Sequence, residues 1–420
     1  MVQSTDTANE VIIVGAGASG LLAANILVKQ GLNVTLIEKM HQAGLKLRIT
    51  GKGHCNITNA CEKENFIKQI SNPEFFKYSF EAFDNKALMS FFENKGCELV
   101  VERGNRVYPK SKKSLDVFLT LLQDIEGKSN FHFEKNQQVK DIILKGDKVI
   151  GVRTNKKLFF ADNVIMCVGG MTYPQTGSTG DGYEILSRYK ISIRQPIPIL
   201  TGLITRDGYS KDLQDLEIKN CQVNITNSKK ETICSNFGDI YLDEYGVSGP
   251  AILTVSRDIA RILYSGEKLY LTVDLKPKLD KDKLYEEILR TFSDRRAENA
   301  LYIARKWFIR PIALEALRTC KINPRTIGHK LKERDAKQLL WYMKNRKQEI
   351  IGDFGWKESI ITMGGVELKE VNYKTLQTNR IKHLYISGEL LDLDAPTGGY
   401  NLQIAFSTGY LAAKSIIQSI

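Results

Sequence analysis

The stretch from Glu10 to Lys39, EVIIVGAGASGLLAANILVKQGLNVTLIEK, constrains this chain more than any other. A short apolar run, residues 11–14, leads into the turn Gly15-Ala16-Gly17-Ala18-Ser19-Gly20, after which Leu22, Ile26 and Lys29 recur at helical spacing. Gly31 supplies the helix stop, residues 34–37 form a second apolar strand, and Glu38 stands at its C-terminal end. Strand, glycine turn, helix, strand and acid in this order predict a dinucleotide-binding βαβ unit.

Each glycine has its own task. Gly15 permits a sharp turn, Gly17 lets the backbone approach a pyrophosphate, and Gly20 lets the helix lie against the strand. Ala18 and Ser19 belong to the turn that leads into the helix at 21–29, whose free N–H groups and positive end face the phosphates. Glu38, followed by Lys39, accepts from both ribose hydroxyls and repels a 2′-phosphate, which favours FAD or NAD over NADP.

A chain of 420 residues suits two or three domains. With 42% hydrophobic and 26% charged residues, and no apolar run of membrane-spanning length, it reads as soluble and without a membrane partner. The opening MVQSTDTANE has neither a basic nor an apolar leader region, and seven scattered cysteines form no disulfide framework, so a reducing cytoplasm is expected.

After Glu38 a polar, glycine-bearing stretch brings Lys46, Arg48 and Lys52 toward the pyrophosphate, while Asn56, Thr58 and Asn59 offer amide and hydroxyl groups. Its segment TGKGHCNITNA resembles SGGGRCNLTN of the YhiN/BaiN-like FAD-dependent oxidoreductases, with His54 where that family has Arg. The block CVGGMTYPQTGSTGDGY is similar to CVGGMSYPKTGSTGDGY of the same family, and residues 356–420 resemble its C-terminal part. The segment YGVSGPAIL resembles its GLSGPAIL, whereas DIYLDE departs from its usual LFTH-like sequence.

The resemblance implies an α/β fold: a two-dinucleotide-binding, glutathione-reductase-like FAD domain, split by a β-barrel and a helical insert. The expected parts are 1–194 and 356–420 for the FAD domain, 195–275 for the barrel and 276–355 for the helices. Residues 131–170 alternate with period two and read as a β-meander ending in a returning strand at 164–168. The resemblance places Val139 by the adenine and Gly169 close to the cofactor. Gly388, Glu389, Asn401 and Leu402 are carried over at the flavin's pyrimidine edge, beside the N-terminus of a last helix read as 402–417. In the region 61–128 Leu88, Phe91 and Phe92 mark one helical face, and Leu115, Phe118, Leu119 and Leu122 another. Cys55 and Cys61 lack the C-x-x-x-x-C spacing of flavin disulfide reductases, and the family works without a redox disulfide. Spaced acids at Asp392 and Asp394 read as a solvated turn, so no metal is expected.

The family's activities imply redox chemistry at FAD, including reduction of activated C=C bonds in bile-acid-like steroids and oxidation of a small aminoketone. The expected function is an FAD-dependent oxidoreductase acting on a carbonyl-activated small organic substrate through flavin N5. NADH or NADPH, if used, visits transiently, because only one dinucleotide fingerprint is present. The rivals are an amine or aminoketone oxidase using O2, and an FAD-binding protein associated with nucleic acid. The net charge of +12 is concentrated at residues 276–347, which hold twenty Lys and Arg against nine Asp and Glu. Interleaved with helical apolar positions, that charge reads as a solvated face, so a nucleic-acid partner is not expected. The sequence assigns no catalytic acid or base and leaves the oligomeric state open. The insert is expected to serve the substrate.

Overall fold

The apolar run 11–14 becomes strand β1, Glu10–Val14, whose side chains from Val11 onward are almost wholly removed from water. Only a strand covered on both faces can bury a continuous apolar run, and β1 lies at the centre of a parallel sheet. The computed structural model describes residues 10–420. Residues 1–9, on which the reading of no secretory leader rests, lie outside the described residues.

β1 is followed by helix α1, Ala18–Lys29, and strand β2, Asn33–Ile37. Strands β3 (Phe131–Glu134), β4 (Asn163–Met166) and β5 (Leu384–Ile386) complete a five-stranded sheet in the order β5-β4-β1-β2-β3. All its pairings are parallel, so every strand's C-terminal end opens on the same edge, where ligands of doubly wound sheets bind. The final helix α2, Tyr400–Ser419, begins two residues before the expected start. It packs on α1 so closely that a Cβ at Gly409 would lie 2.5 Å from the Ser19 carbonyl oxygen.

The expected meander is split by the structure. Residues 131–134 leave it as β3, paired with β2, because Asn130 anchors the preceding turn by donating to the Val28 and Leu32 carbonyls at 3.0 and 2.9 Å. The meander proper is a three-stranded antiparallel sheet, Val139–Lys145, Lys148–Thr154 and Leu158–Phe160. The returning strand is 163–166, and residues 167–170 belong to the loop beyond it. Helix Ser114–Leu122 buries Val117, Phe118 and Leu121, whereas Leu115 and Leu119 face water. Apolar residues cover too much of that helix for periodicity alone to choose its inner face.

The chain divides into two compact units, Met1–Pro198 with Trp356–Ile420, and Ile199–Gly355. The second is a closed six-stranded barrel made of Leu203–Thr205, Glu217–Asn227, Thr232–Leu242, Gly246–Ser248, Leu269–Asp274 and Arg346–Asp353. The expectation of a separate helical piece at 276–355 is corrected here. Helices Lys281–Asp294, Ala300–Ala304, Arg310–Thr319 and Glu333–Asn345 share one core with the barrel, and residues 346–353 are its closing strand. That strand pairs with 269–273 and with 203–205, which removes both exposed edges. Its alternation is disguised in sequence because a polar residue, Gln348, points inward with Ile350 while Lys347 faces solvent.

Candidate active site at the sheet's C-terminal edge

At the end of β1 the chain turns through Gly15 at φ +100°, where a Cβ would lie 2.5 Å from the Cys167 carbonyl oxygen. A Cβ at Gly20 would lie 2.0 Å from the Gly15 carbonyl oxygen, so this glycine is demanded by packing of the turn against α1. Gly17 is different: nothing of the protein lies within 4 Å of where its Cβ would be. The first intrahelical bond is Leu21 N–H to the Gly17 carbonyl at 2.9 Å, which leaves the N–H groups of Ala18, Ser19 and Gly20 outside the ladder. No side chain caps this terminus and no acid stands in its first turn. It therefore presents positive partial charge to open space.

Glu38 closes one side of that space. Its two carboxylate oxygens accept from the backbone N–H of Ala16 at 2.9 Å and of Met40 at 2.8 Å. Burial pushes its pKa upward, against the pull of those two N–H groups and of Lys39. A carboxylate offers about four acceptor sites, so one is still left for a hydroxyl donor beyond these backbone N–H groups. The chain leading to Val139 runs alongside, since Gln137 N–H donates to the Glu38 carbonyl at 2.9 Å and Asn136 N–H to the Met40 carbonyl at 3.1 Å. Val139 itself is buried.

Several basic groups are already engaged. Lys39 pairs with Asp181 at 2.8 Å and also donates to Thr179. Lys46 donates to Glu389 at 2.6 Å and to Thr172 at 2.7 Å, joining residues 343 positions apart. Glu389 also accepts from the Thr362 N–H at 2.8 Å and from the Thr172 hydroxyl at 3.1 Å. Arg48 donates to Gln42 at 2.7 Å and lies over the Phe118 ring. None of these three cations is a lone charge awaiting a phosphate. Lys46, on the short helix Leu45–Ile49 that follows β2 in place of the expected loop, is instead tied to Glu389 on the turn after β5.

The remaining expected residues divide between framework and open groups. Ser19 bonds Ser387 at 2.8 Å inside the protein, and Gly388 lies against it, with a Cβ there only 3.2 Å from that of Ser19. Thr58 is fully buried and donates to Gln403 at 2.6 Å, so its hydroxyl fastens the short strand Thr58–Asn59 to α2. The Asn401 amide closes the turn before α2, donating to the Ala395 carbonyl at 2.8 Å and accepting from the Ala395 N–H at 2.9 Å. Gly169, at φ +74°, turns beside Ser178. Asn56 keeps a buried Oδ1 with no hydrogen-bond partner. The α2 terminus, including Asn401 and the half-buried Leu402, carries no side-chain cap and no acid in its first turn.

Sequence reasoning did not single out Thr172, Thr362 or Tyr173. Tyr173 holds a left-handed backbone, φ 54°, and its ring centroid lies 6.0 Å from the Lys46 ammonium. The only signal for these residues was their place inside the two segments that resemble the family. Cys55 is buried, and burial drives its thiol pKa far up, the opposite of a reactive thiolate. Cys61 is shifted upward by burial as well, and its sulfur lies 4.0 Å from the Tyr400 hydroxyl. Asp392 accepts from Arg194 at 3.1 Å.

An FAD molecule fits the donor set. The uncapped α1 terminus and the void at Gly17 suit a pyrophosphate, Glu38 suits a ribose, and the orphaned Asn56 oxygen with the uncapped α2 terminus suits the polar edges of a flavin.

The fold and this edge define an FAD-dependent oxidoreductase of the Rossmann-containing flavoprotein class. The chain belongs to the family described as HI0933-like protein Rossmann domain, which matches residues 9–415. It is 26% identical to the 3-dehydro-bile acid delta(4,6)-reductase of Clostridium scindens, across 97% of this chain and 98% of that protein. It is 27% identical, with the same coverage, to a ribosomal RNA dihydrouridine synthase of Haemophilus influenzae. Among solved structures, the quinol fumarate reductase FrdA of E. coli superposes with a TM-score of 0.50 at 16% identity, covering 98% of this chain and 70% of that one, a likeness of fold. Among the described residues no helix is long and apolar enough to cross a membrane.

Proposed function

We propose that this protein reduces a carbon–carbon double bond conjugated with a carbonyl group, with NADH or NADPH as a transiently visiting donor. What supports the reading is that its relatives' two named reactions share one chemistry. A delta(4,6)-reductase of a 3-dehydro bile acid saturates bonds conjugated with a 3-keto group, and a dihydrouridine synthase saturates the uracil bond conjugated with its C4 carbonyl. When bound, FAD supplies hydride transfer through N5. The protein's share is placement and electrostatics: Glu38 holds the ribose, the α1 N–H groups hold the pyrophosphate, and the uncapped α2 terminus favours negative charge at the flavin's edge. The Lys46–Glu389–Thr172 network fixes the loops that border this space.

Of the two substrate classes, uridine in RNA suits this chain better. The observation that favours it is the excess of exposed Lys and Arg on residues 276–347, which a hydrophobic sterol does not require. The test is anaerobic: reduce the flavin with NADH or NADPH, then add a uridine-containing RNA or, separately, a 3-keto-Δ4 steroid. Flavin reoxidation coupled to a gain of two hydrogens in the RNA's uridines is the expected result. Reoxidation by neither substrate, with air restoring the oxidised flavin at once, would replace this reading with an oxidase.

A further inference from the structure

The acids and bases of residues 276–347 part company at the surface. Sixteen of the twenty Lys and Arg are exposed, against five of the nine Asp and Glu. The other acids are held by partners within the fold. Glu315 receives Arg318 at 2.7 Å and Arg346 at 3.6 Å, Glu287 receives Lys306 at 3.0 Å and the Trp307 indole N–H at 3.2 Å, Glu298 receives Arg295 at 3.0 Å, and Asp335 accepts from the Lys332 N–H at 2.8 Å. The charge excess therefore faces solvent.

Part of it is carried by one run of chain, residues 330–341, as a basic ridge of exposed side chains. In the turn Gly328–Lys330, Gly328 N–H donates to the Glu298 carbonyl at 2.8 Å and His329 N–H to the Arg296 carbonyl at 3.1 Å, which brings the backbone of Arg296 to this turn. The chain then passes Lys332 into helix 333–345, where Arg334, Lys337 and Trp341 recur at three- and four-residue spacing on one face. Leu339, Tyr342 and Met343 turn the other way, into the core. Trp341 is 44% exposed and borders a shallow groove of about 360 Å³ shared with Glu333, Arg334, Lys337 and Gln338. Glu333 lies 4.0 Å from Lys337, the one weak acidic partner on this face among the described ion pairs.

An exposed indole framed by cations matches a single-stranded nucleic acid: every base offers a π-face to the ring, and the cations meet phosphates. A lipid surface asks for an apolar stripe to insert, whereas the groove holds one indole among charged and amide groups and the exposed Ile327 adds a single side chain before the turn. We propose that this ridge docks RNA, with Arg296, Lys330, Lys332, Arg334 and Lys337 along the sugar–phosphate backbone and Trp341 against an unpaired base. The inference rests on the reading that uridine in RNA is the substrate, and it supplies that reading with a recognition surface.

The experiment measures binding of the FAD-loaded full-length protein to a fluorescent single-stranded oligoribonucleotide by anisotropy, across a salt series. Trp341→Ala lowers affinity about tenfold, the scale of one base–aromatic stack. Arg334→Gln with Lys337→Gln lowers the slope of log K against log salt by about 0.7 for each phosphate left unneutralised. Flavin absorbance and thermal midpoint serve as folding controls, and both stay at parental values because these side chains are exposed. Parental affinity and salt slope in these variants would overturn the proposal, as would binding of the parent to anionic phospholipid vesicles and not to RNA. If RNA binding depends on the ridge but uridine is never reduced, the ridge stands and the reaction reading falls. If uridine is reduced while the variants bind as the parent does, the ridge falls and the reaction stands.

Discussion

Substituting Gly17 and Gly20 separately should split cofactor binding from folding. At Gly17 the backbone, φ −84° and ψ −169°, is open to any residue, and no protein atom lies within 4 Å of the added Cβ. Gly17→Ala should therefore leave the apoprotein intact or raise its stability by about 0.4–1 kcal/mol, through the lower entropy of its unfolded chain. The same methyl projects where the pyrophosphate must approach the α1 N–H groups. Losing two charge-assisted hydrogen bonds at about 1.5–3 kcal/mol each weakens FAD at least a hundredfold. At Gly20 the added Cβ would meet the Gly15 carbonyl oxygen at 2.0 Å and Ile13 Cγ2 at 3.3 Å, contacts with main chain and core that no rotamer relieves. Gly20→Ala should cost the apoprotein about 1–3 kcal/mol or more as α1 is pushed off the sheet. The assays are thermal melts of FAD-free protein and FAD titration followed by flavin fluorescence. If Gly17→Ala binds FAD like the parent, or melts lower than Gly20→Ala, the assignment of that void to the pyrophosphate is refuted.

Glu38→Ala should weaken FAD about tenfold to a hundredfold, because the ribose hydroxyls lose a charged acceptor and the Ala16 N–H loses its partner; unchanged affinity in the same titration would remove Glu38 from the site. Cys55→Ser and Cys61→Ser should leave flavin reduction by the donor within about an order of magnitude of the parent, whereas a thiol relay would lose several orders in stopped-flow traces. Burial of Asp181 would raise its pKa, but hydrogen bonds from Lys39, Thr179 and Gln138 outweigh it and hold the pKa below the usual carboxylate range. Its contribution is therefore present above the unfolded carboxylate pKa of about 3.9 and is lost as pH falls through the lower folded value. Asp181→Asn should flatten the stability profile below about pH 4 in denaturant melts, and an unchanged profile would count against the Lys39 pairing.

The βαβ unit was legible because its determinants are local. A buried parallel strand needs a continuous apolar run, a turn at φ +100° needs glycine, and the acid sits at a fixed distance along the second strand. Residues 10–38 carry all of that within one stretch of chain. What tertiary structure decided is everything that depends on a distant partner. Phe131–Glu134 alternates like a hairpin strand, and only its pairing with β2 moves it into the central sheet. Arg346–Asp353 looks too polar for a strand until the barrel's two open edges claim it. The same applies to charge. Lys46 reads locally as positive charge for the pyrophosphate, yet folding brings Glu389 against it, so its role follows from a neighbour 343 positions away. Sequence records which groups a residue carries, and a hydrogen bond or ion pair needs a second group whose position only the packed chain determines.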